Sequence, residues 1–130
     1  MRMNRQELVR FFVLREVSDD YEEPKHIGAN VASRAGICGL AVSAEDIREG
    51  LIALVQSGLA KAYLLSGREP FVTEIEGLPP SDSFLPSSND FPDYYFLITD
   101  KGREALSAWA DQWPLDEEDE LLPGWSPPSE

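Results

Sequence analysis

Residues 43–65, SAEDIREGLIALVQSGLAKAYLL, decide the fold because they join a well-marked helix to the strand that follows it. Ser43 is placed to cap the helix, and Asp46 stands three residues later as the acidic partner of a capping box. Gly58 follows where a helix end needs a residue with left-handed backbone. Between these signals, apolar residues recur at helical spacing, at Ile47, Leu51, Leu54 and Val55.

Two further helices are predicted on the N-terminal side of this segment. Residues 4–17, NRQELVRFFVLREV, carry an apolar stripe, and Asn4 and Glu7 form a second capping-box pattern. An acidic stretch that ends in a proline then interrupts the chain. Residues 25–35 predict a shorter second helix, whose apolar side consists of Ile27, Val31 and Ala35.

Strands and a last helix are predicted on the C-terminal side. Residues 60–65 and the strongly β-prone run 94–98, YYFLI, are expected to pair, and residues 71–75 form a weaker strand. Thr99 is placed to cap a final helix over residues 100–113. The order of elements therefore predicts an α+β fold that is mostly α.

Acidic residues are concentrated in two segments of the chain. The net charge is −13 over 130 residues. Residues 66–93 carry six acids and one arginine, and residues 114–130 carry six acids and no base. We therefore predict one domain, residues 1–113, with a long insertion at 66–93 and an acidic, proline-rich, disordered tail at 114–130.

Residues 96–106, FLITDKGREAL, resemble the Leu-Thr-x-x-Gly-Arg junction that links the wing to the last helix in PadR-like and MarR-like regulators. With the order of elements, this resemblance covers about residues 5–113. It implies a winged helix, which is a three-helix bundle with a small antiparallel β wing and a C-terminal helix. Gly102 in the junction allows a neighbouring backbone to approach. The alternative is an unrelated α+β domain with the same order of elements.

The resemblance implies that duplex DNA binds to the helix before the wing. Arg48 is the candidate for a contact to a base edge, and Arg34 and Lys25 are the candidates for phosphate contacts. These cations could equally be ordinary solvated charges. Acids at the start of the same helix oppose a polyanion. They are Glu45, Asp46 and Glu49.

The sequence contains no pattern that predicts catalysis. His26 and Cys38 are the only histidine and cysteine. A pair of them without a third group indicates a helix-start histidine and a small buried thiol rather than a catalytic dyad. Zinc-ligand spacing and a phosphate-binding glycine loop are both missing from the sequence. We therefore expect no enzyme activity, no metal and no cofactor.

Leu106, Trp109 and Trp113 lie on one side of the predicted last helix. Two interpretations are open, because an aromatic stripe can complete the core or can form the seam of a homodimer. Related regulators often dimerise through terminal helices, and aromatic side chains are effective anchors at such contacts.

Two functional hypotheses follow. The first is a dimeric DNA-binding transcriptional regulator. The second is an acidic winged-helix module that does not bind DNA and engages a basic protein partner. The single cysteine excludes an internal disulfide, and no apolar run is long enough to span a membrane. We expect a cytoplasmic protein without a membrane partner.

Overall fold

A computed structural model describes residues 2–79 and 94–128 of the chain. Within these residues it has an α+β fold with four α-helices and one three-stranded antiparallel sheet. The elements in chain order are α1 (Arg5–Glu16), α2 (Pro24–Ile37), α3 (Ala44–Gln56), β1 (Ala60–Leu65), β2 (Val72–Glu74), β3 (Tyr94–Ile98) and α4 (Asp100–Trp109). The predicted last helix continues beyond α4 only as a short 3₁₀ turn, Ala110–Gln112.

The starts of α1 and α3 follow from their local sequence. The Asn4 side chain accepts a hydrogen bond from the backbone N–H of Glu7 at 2.8 Å. At α3, the Ser43 hydroxyl accepts from the N–H of Asp46 at 3.1 Å, and Asp46 accepts in return from the N–H of Ser43 at 2.9 Å. Both predicted capping boxes are confirmed.

A Schellman turn ends α3. The N–H of Leu59 donates to the carbonyl of Leu54 at 2.9 Å, and the N–H of Gly58 donates to that of Val55 at 3.1 Å. Gly58 has a φ of +79°, a conformation that favours glycine because it has no Cβ. The turn reverses the chain directly into β1.

Helix α1 is the centre of the core. It packs on both α2 and α3, and its apolar residues are buried around most of its circumference. A helix that is apolar on most sides is covered by neighbours on most sides. The buried residues of α1 are Leu8, Val9, Phe11, Phe12, Val13 and Leu14.

The sheet has the strand order β2-β1-β3. Its inner face contributes Ala60, Ala62, Phe96 and Ile98 to the core. Glu22, between α1 and α2, adds a single antiparallel bridge to the free side of β3. Its N–H donates to the carbonyl of Phe96 at 3.0 Å, and it accepts from the N–H of Phe96 at 2.8 Å.

Gly102 allows α4 to lie directly on the α3–β1 turn. A Cβ added there would overlap the carbonyl oxygen of Leu59 and would lie 2.6 Å from Cγ1 of Ile98. The Thr99 hydroxyl caps α4 by accepting from the N–H of Gly102 at 3.0 Å, and it donates to the carbonyl of Gly58 at 2.7 Å. The expected close approach of a neighbouring backbone at Gly102 is therefore confirmed.

The C-terminal segment, for which a disordered tail is predicted, is described over residues 114–128, where it lies against the body. Pro114 is fully buried and Leu115 is 4% exposed. The N–H of Leu122 donates to the carbonyl of Pro114 at 2.9 Å, which closes a turn, and Trp125 packs against the core. A few apolar anchors hold this acidic segment on the body, and the acidic composition did not reveal them. The second half of the predicted insertion at 66–93, residues 80–93, lies outside the described residues.

Candidate nucleic-acid interface

The structure does not bring Lys25 and Arg34 to one surface of α2. They are nine residues apart, so they lie about 13 Å apart along the axis and on opposite sides of the helix. Lys25 is exposed in the first turn of α2, and among the described residues it makes no ion pair. The two predicted phosphate contacts therefore cannot act together through α2.

Arg34 faces acidic groups of its own chain. Its guanidinium forms an ion pair with the carboxylate of Glu16 on α1, which is largely buried. Its Nε atom lies 3.8 Å from a carboxylate oxygen of Asp119 in the C-terminal segment. A phosphate group at Arg34 would have to displace these carboxylates, so Arg34 is poorly placed for a DNA contact.

Arg48 lies among acids on the exposed side of α3. Its Nη1 atom lies 2.6 Å from a carboxylate oxygen of Glu45, one turn earlier. Glu49 is exposed one turn after Glu45 on the same side of the helix. We call Glu45, Arg48 and Glu49 the α3 surface. It carries more negative than positive charge where the resemblance implies DNA contact.

The start of α3 is also neutralised by acid. A helix N-terminus attracts anions through its free N–H groups and its dipole. Here Asp46 already occupies that position, and its carboxylate lies 3.0 Å from the guanidinium of Arg5. The hydrogen bonds from Arg5 and from the backbone of Ser43 hold the pKa of Asp46 below its usual value. Asp46 therefore carries its charge at neutral pH.

His26 and Cys38 are too far apart to act as a catalytic pair. They stand at opposite ends of α2, about 18 Å apart along its axis. Cys38 is buried, and burial raises the pKa of its thiol to about 11, so the thiol is protonated at neutral pH. No group of three or more potential metal-ligating side chains occurs among residues 2–79 and 94–128.

The two tryptophans of the predicted dimer seam pack within the chain. The ring centroids of Phe11 and Trp109 are 5.7 Å apart, and those of Phe11 and Trp113 are 5.0 Å apart, both in edge contact. The guanidinium of Arg15 lies 4.0 Å from the centroid of Trp113. Leu106 is half-buried beside them. Core packing thus accounts for part of the stripe, and a homodimer through its exposed part stays a prediction.

A second surface carries no sequence motif that would predict it. Alternation along β1 and β3 places one set of side chains in the core and the other set outside. Lys61 and Glu74 lie on this side of the sheet, opposite Leu97 and Tyr63 in the strand registers. We call the apolar and aromatic residues of this side, with the ring of Tyr21 that packs on Tyr63, the outer sheet face: Tyr21, Tyr63, Leu65, Val72, Tyr95 and Leu97. Only the strand register reveals it, because Tyr21 lies between α1 and α2 and contacts Tyr63 across the fold.

Comparison of the chain with protein-family models, with curated proteins and with solved structures found no match. Within the part of the chain that the structure describes, no helix has the length and apolar character needed to cross a membrane.

Proposed function

We propose that this chain is a non-catalytic winged-helix domain that acts as an acidic protein-interaction module and binds a basic partner protein. The observation that carries this proposal is the pairing of its candidate DNA contacts. Arg34 and Arg48 are each held by a carboxylate of the same chain. Two of the three cations that would contact DNA are therefore already neutralised, and only Lys25 makes no ion pair among the described residues.

The order and pairing of the elements support the winged-helix part of the proposal. Helices α2 and α3 are joined by a short turn, and β1 and β3 form an antiparallel pair that β2 extends on its free edge. The bridge from Glu22 to Phe96 adds a strand-like residue between the first two helices to the same sheet.

The charge distribution supports the choice of a basic partner. Potential from many acids raises the local concentration of cationic partners and repels polyanions. Acids surround α2 and α3 at their starts, and the C-terminal segment brings further acids against Arg34. Individual surface ion pairs contribute only about 0–1 kcal/mol. The excess of acidic residues, and not the strength of any one ion pair, therefore favours a basic partner.

Fluorescence anisotropy with labelled random-sequence duplex DNA across a salt series tests the proposal. We expect no binding even at about 20 mM salt, where attraction to phosphate is strongest. An arginine-rich peptide, titrated in parallel, should bind and should be released as salt rises. DNA binding with a steep salt dependence that Arg48→Glu abolishes would overturn the proposal, and so would failure of every cationic peptide to bind.

DNA binding by α3 is the second candidate function, and the arrangement of α2, the turn and α3 favours it. In helix-turn-helix proteins the second helix of such a pair enters the major groove. Arg48 is then the residue that contacts a base edge, after Glu45 releases it. The same titration distinguishes the two functions, because only this one requires Arg48.

A further inference from the structure

The outer sheet face is apolar and aromatic although it lies outside the core. Its inner counterparts Ala62 and Phe96 are completely buried, which fixes the direction of the intervening residues. Tyr63 stands directly opposite Tyr95 in the register of β1 and β3. Leu65 stands opposite Val72, and the two are 37% and 41% exposed. Contiguous exposed apolar patches mark interaction sites, and these two side chains lie on the same side of the sheet as the tyrosines.

Tyr21 and Tyr63 form an angled pair of rings on this face. Their centroids are 5.1 Å apart and their planes make an angle of 80°. Both side chains are half-buried, so each ring is supported by the sheet and still accessible. A supported aromatic face attracts a cation through its quadrupole and loses little conformational freedom when a partner binds.

Carboxylates border these rings. Glu74 stands opposite Tyr63 in the register of β1 and β2, and its side chain is 51% exposed. Asp19 and Asp20 are exposed in the chain that leads into Tyr21. Burial and the nearby Glu74 raise the pKa of the Tyr63 hydroxyl, as expected beside negative charge.

Two cations lie at this face, Lys61 on the sheet itself and Arg103 beside Ser18, and both have acceptors in the structure. The ammonium of Lys61 lies 3.1 Å from a carboxylate oxygen of Glu74. The guanidinium of Arg103 donates to the carbonyl of Ser18 at 3.2 Å. Among the described residues here, the acids outnumber these cations, so the face favours a positive partner.

We infer that the outer sheet face binds an extended, arginine-bearing segment of a partner protein. An arginine would stack on the Tyr21–Tyr63 pair and share the Glu74 carboxylate with Lys61, while apolar stems would cover Leu65 and Val72. Arginine fits better than lysine because its planar guanidinium can stack on a ring and, at the same time, form paired hydrogen bonds to a carboxylate. A nucleic acid could stack its bases here, but its phosphates would meet the bordering acids. This inference rests on the proposed function.

A labelled peptide of alternating arginine and glycine tests the inference by fluorescence anisotropy. We expect Tyr63→Leu and Glu74→Gln each to weaken binding by roughly three- to tenfold, the range of a cation–π contact or an ion pair at a partly exposed site. Glu49→Gln is the matched control, since it removes the same charge from the α3 surface and should leave binding within about twofold. A lysine–glycine peptide should bind more weakly than the arginine–glycine peptide.

The possible results distinguish a wrong binding surface from a wrong proposed function. If Glu74→Gln and Glu49→Gln weaken binding equally and Tyr63→Leu has no effect, the location is overturned while an acidic module remains. If the unaltered chain binds no cationic peptide, the proposed function fails as well. Tyr63-dependent binding of a labelled single-stranded oligonucleotide, or a homodimer that Tyr63→Leu dissociates in light scattering, would assign the face to another occupant and overturn the inference.

The substitutions need a check on folding. Tyr63→Leu keeps an apolar side chain on the strand, and its melting temperature should stay close to that of the unaltered chain. Tyr21→Leu offers a second route, because it removes the other ring of the pair from outside the strands. Peptide binding that survives both substitutions in folded protein would overturn the inference.

Discussion

The α3 surface and the outer sheet face both carry acid, but they differ in what accompanies it. On the α3 surface, Arg48 is held by Glu45, and no aromatic side chain adjoins them in the sequence of α3. On the outer sheet face, Glu74 is likewise paired with Lys61, but it stands opposite Tyr63, whose ring contacts that of Tyr21. Charge alone gives weak and nonspecific attraction, whereas rigid aromatic rings beside a carboxylate can select a particular cation. The comparison favours the sheet, and not the helix pair, as the binding surface.

The largest expected effect comes from disrupting the contact between α4 and the turn that joins α3 to β1. Gly102→Ala would force α4 away from the carbonyl of Leu59, because the added Cβ has no room. We expect a loss of about 3 kcal/mol or more in the free energy of unfolding. Urea denaturation measures it. Gly36→Ala is the control, since a Cβ there meets nothing within 4 Å, and it should be neutral or stabilising.

The attachment of the C-terminal segment can be broken next. Leu115 is 4% exposed, so Leu115→Ala should cost about 2–3 kcal/mol in the free energy of unfolding. Leu121, its partner in an isolated bridge, is 40% exposed, and Leu121→Ala should cost under about 1 kcal/mol. Equal effects of the two substitutions in thermal denaturation would mean that the segment is not anchored as described.

Reversing the acidic charges of the α3 surface tests whether those acids prevent it from binding DNA. Glu45→Lys with Glu49→Lys releases Arg48 and adds two cations on one side of α3. Duplex DNA should then bind at least about tenfold more tightly at low salt, which corresponds to about 1.4 kcal/mol. Glu74→Lys with Glu76→Lys changes the net charge by the same amount on the sheet. If both double variants gain DNA affinity equally in anisotropy, α3 has no special role in contacting DNA.

The smallest effect concerns the start of α3. Asp46→Ala removes the partner of Arg5 and half of the capping box, and we expect a cost of about 1 kcal/mol at pH 7. Because the pKa of Asp46 is lowered by folding, its contribution is present above the unfolded value of 3.8 and is lost as pH falls through the folded value. The difference from the unaltered chain should therefore shrink below about pH 4.

The parts of the fold that depend on neighbouring residues could be predicted from the sequence. The capping boxes at Asn4 and Ser43 and the Schellman turn at Gly58 follow from local patterns, and each is present. The pairing of residues 60–65 with 94–98, predicted from the β-prone character of these runs, is also present. The helix ends differ by a few residues, because the last turns of a helix are set by packing as well as by sequence.

The features that could not be predicted depend on distant contacts. The pairing of Arg34 with Glu16 joins two helices, and its approach to Asp119 requires the C-terminal segment to fold back. Of the ion pairs that Arg34 and Arg48 make, the pair of Glu45 and Arg48 could be predicted from helical spacing. The ring pair of Tyr21 and Tyr63 needs the register of the sheet and the path of the chain before α2.

On the proposal made above, a cationic partner binds the outer sheet face and not the α3 surface. A titration of ¹⁵N-labelled chain with the arginine–glycine peptide, followed by ¹H–¹⁵N correlation spectra, tests it most directly. We expect amide shifts to concentrate at Tyr21, Tyr63, Glu74 and Tyr95, with little change at Glu45 and Arg48. Shifts concentrated on α3, or spread evenly over all acidic segments, would contradict it.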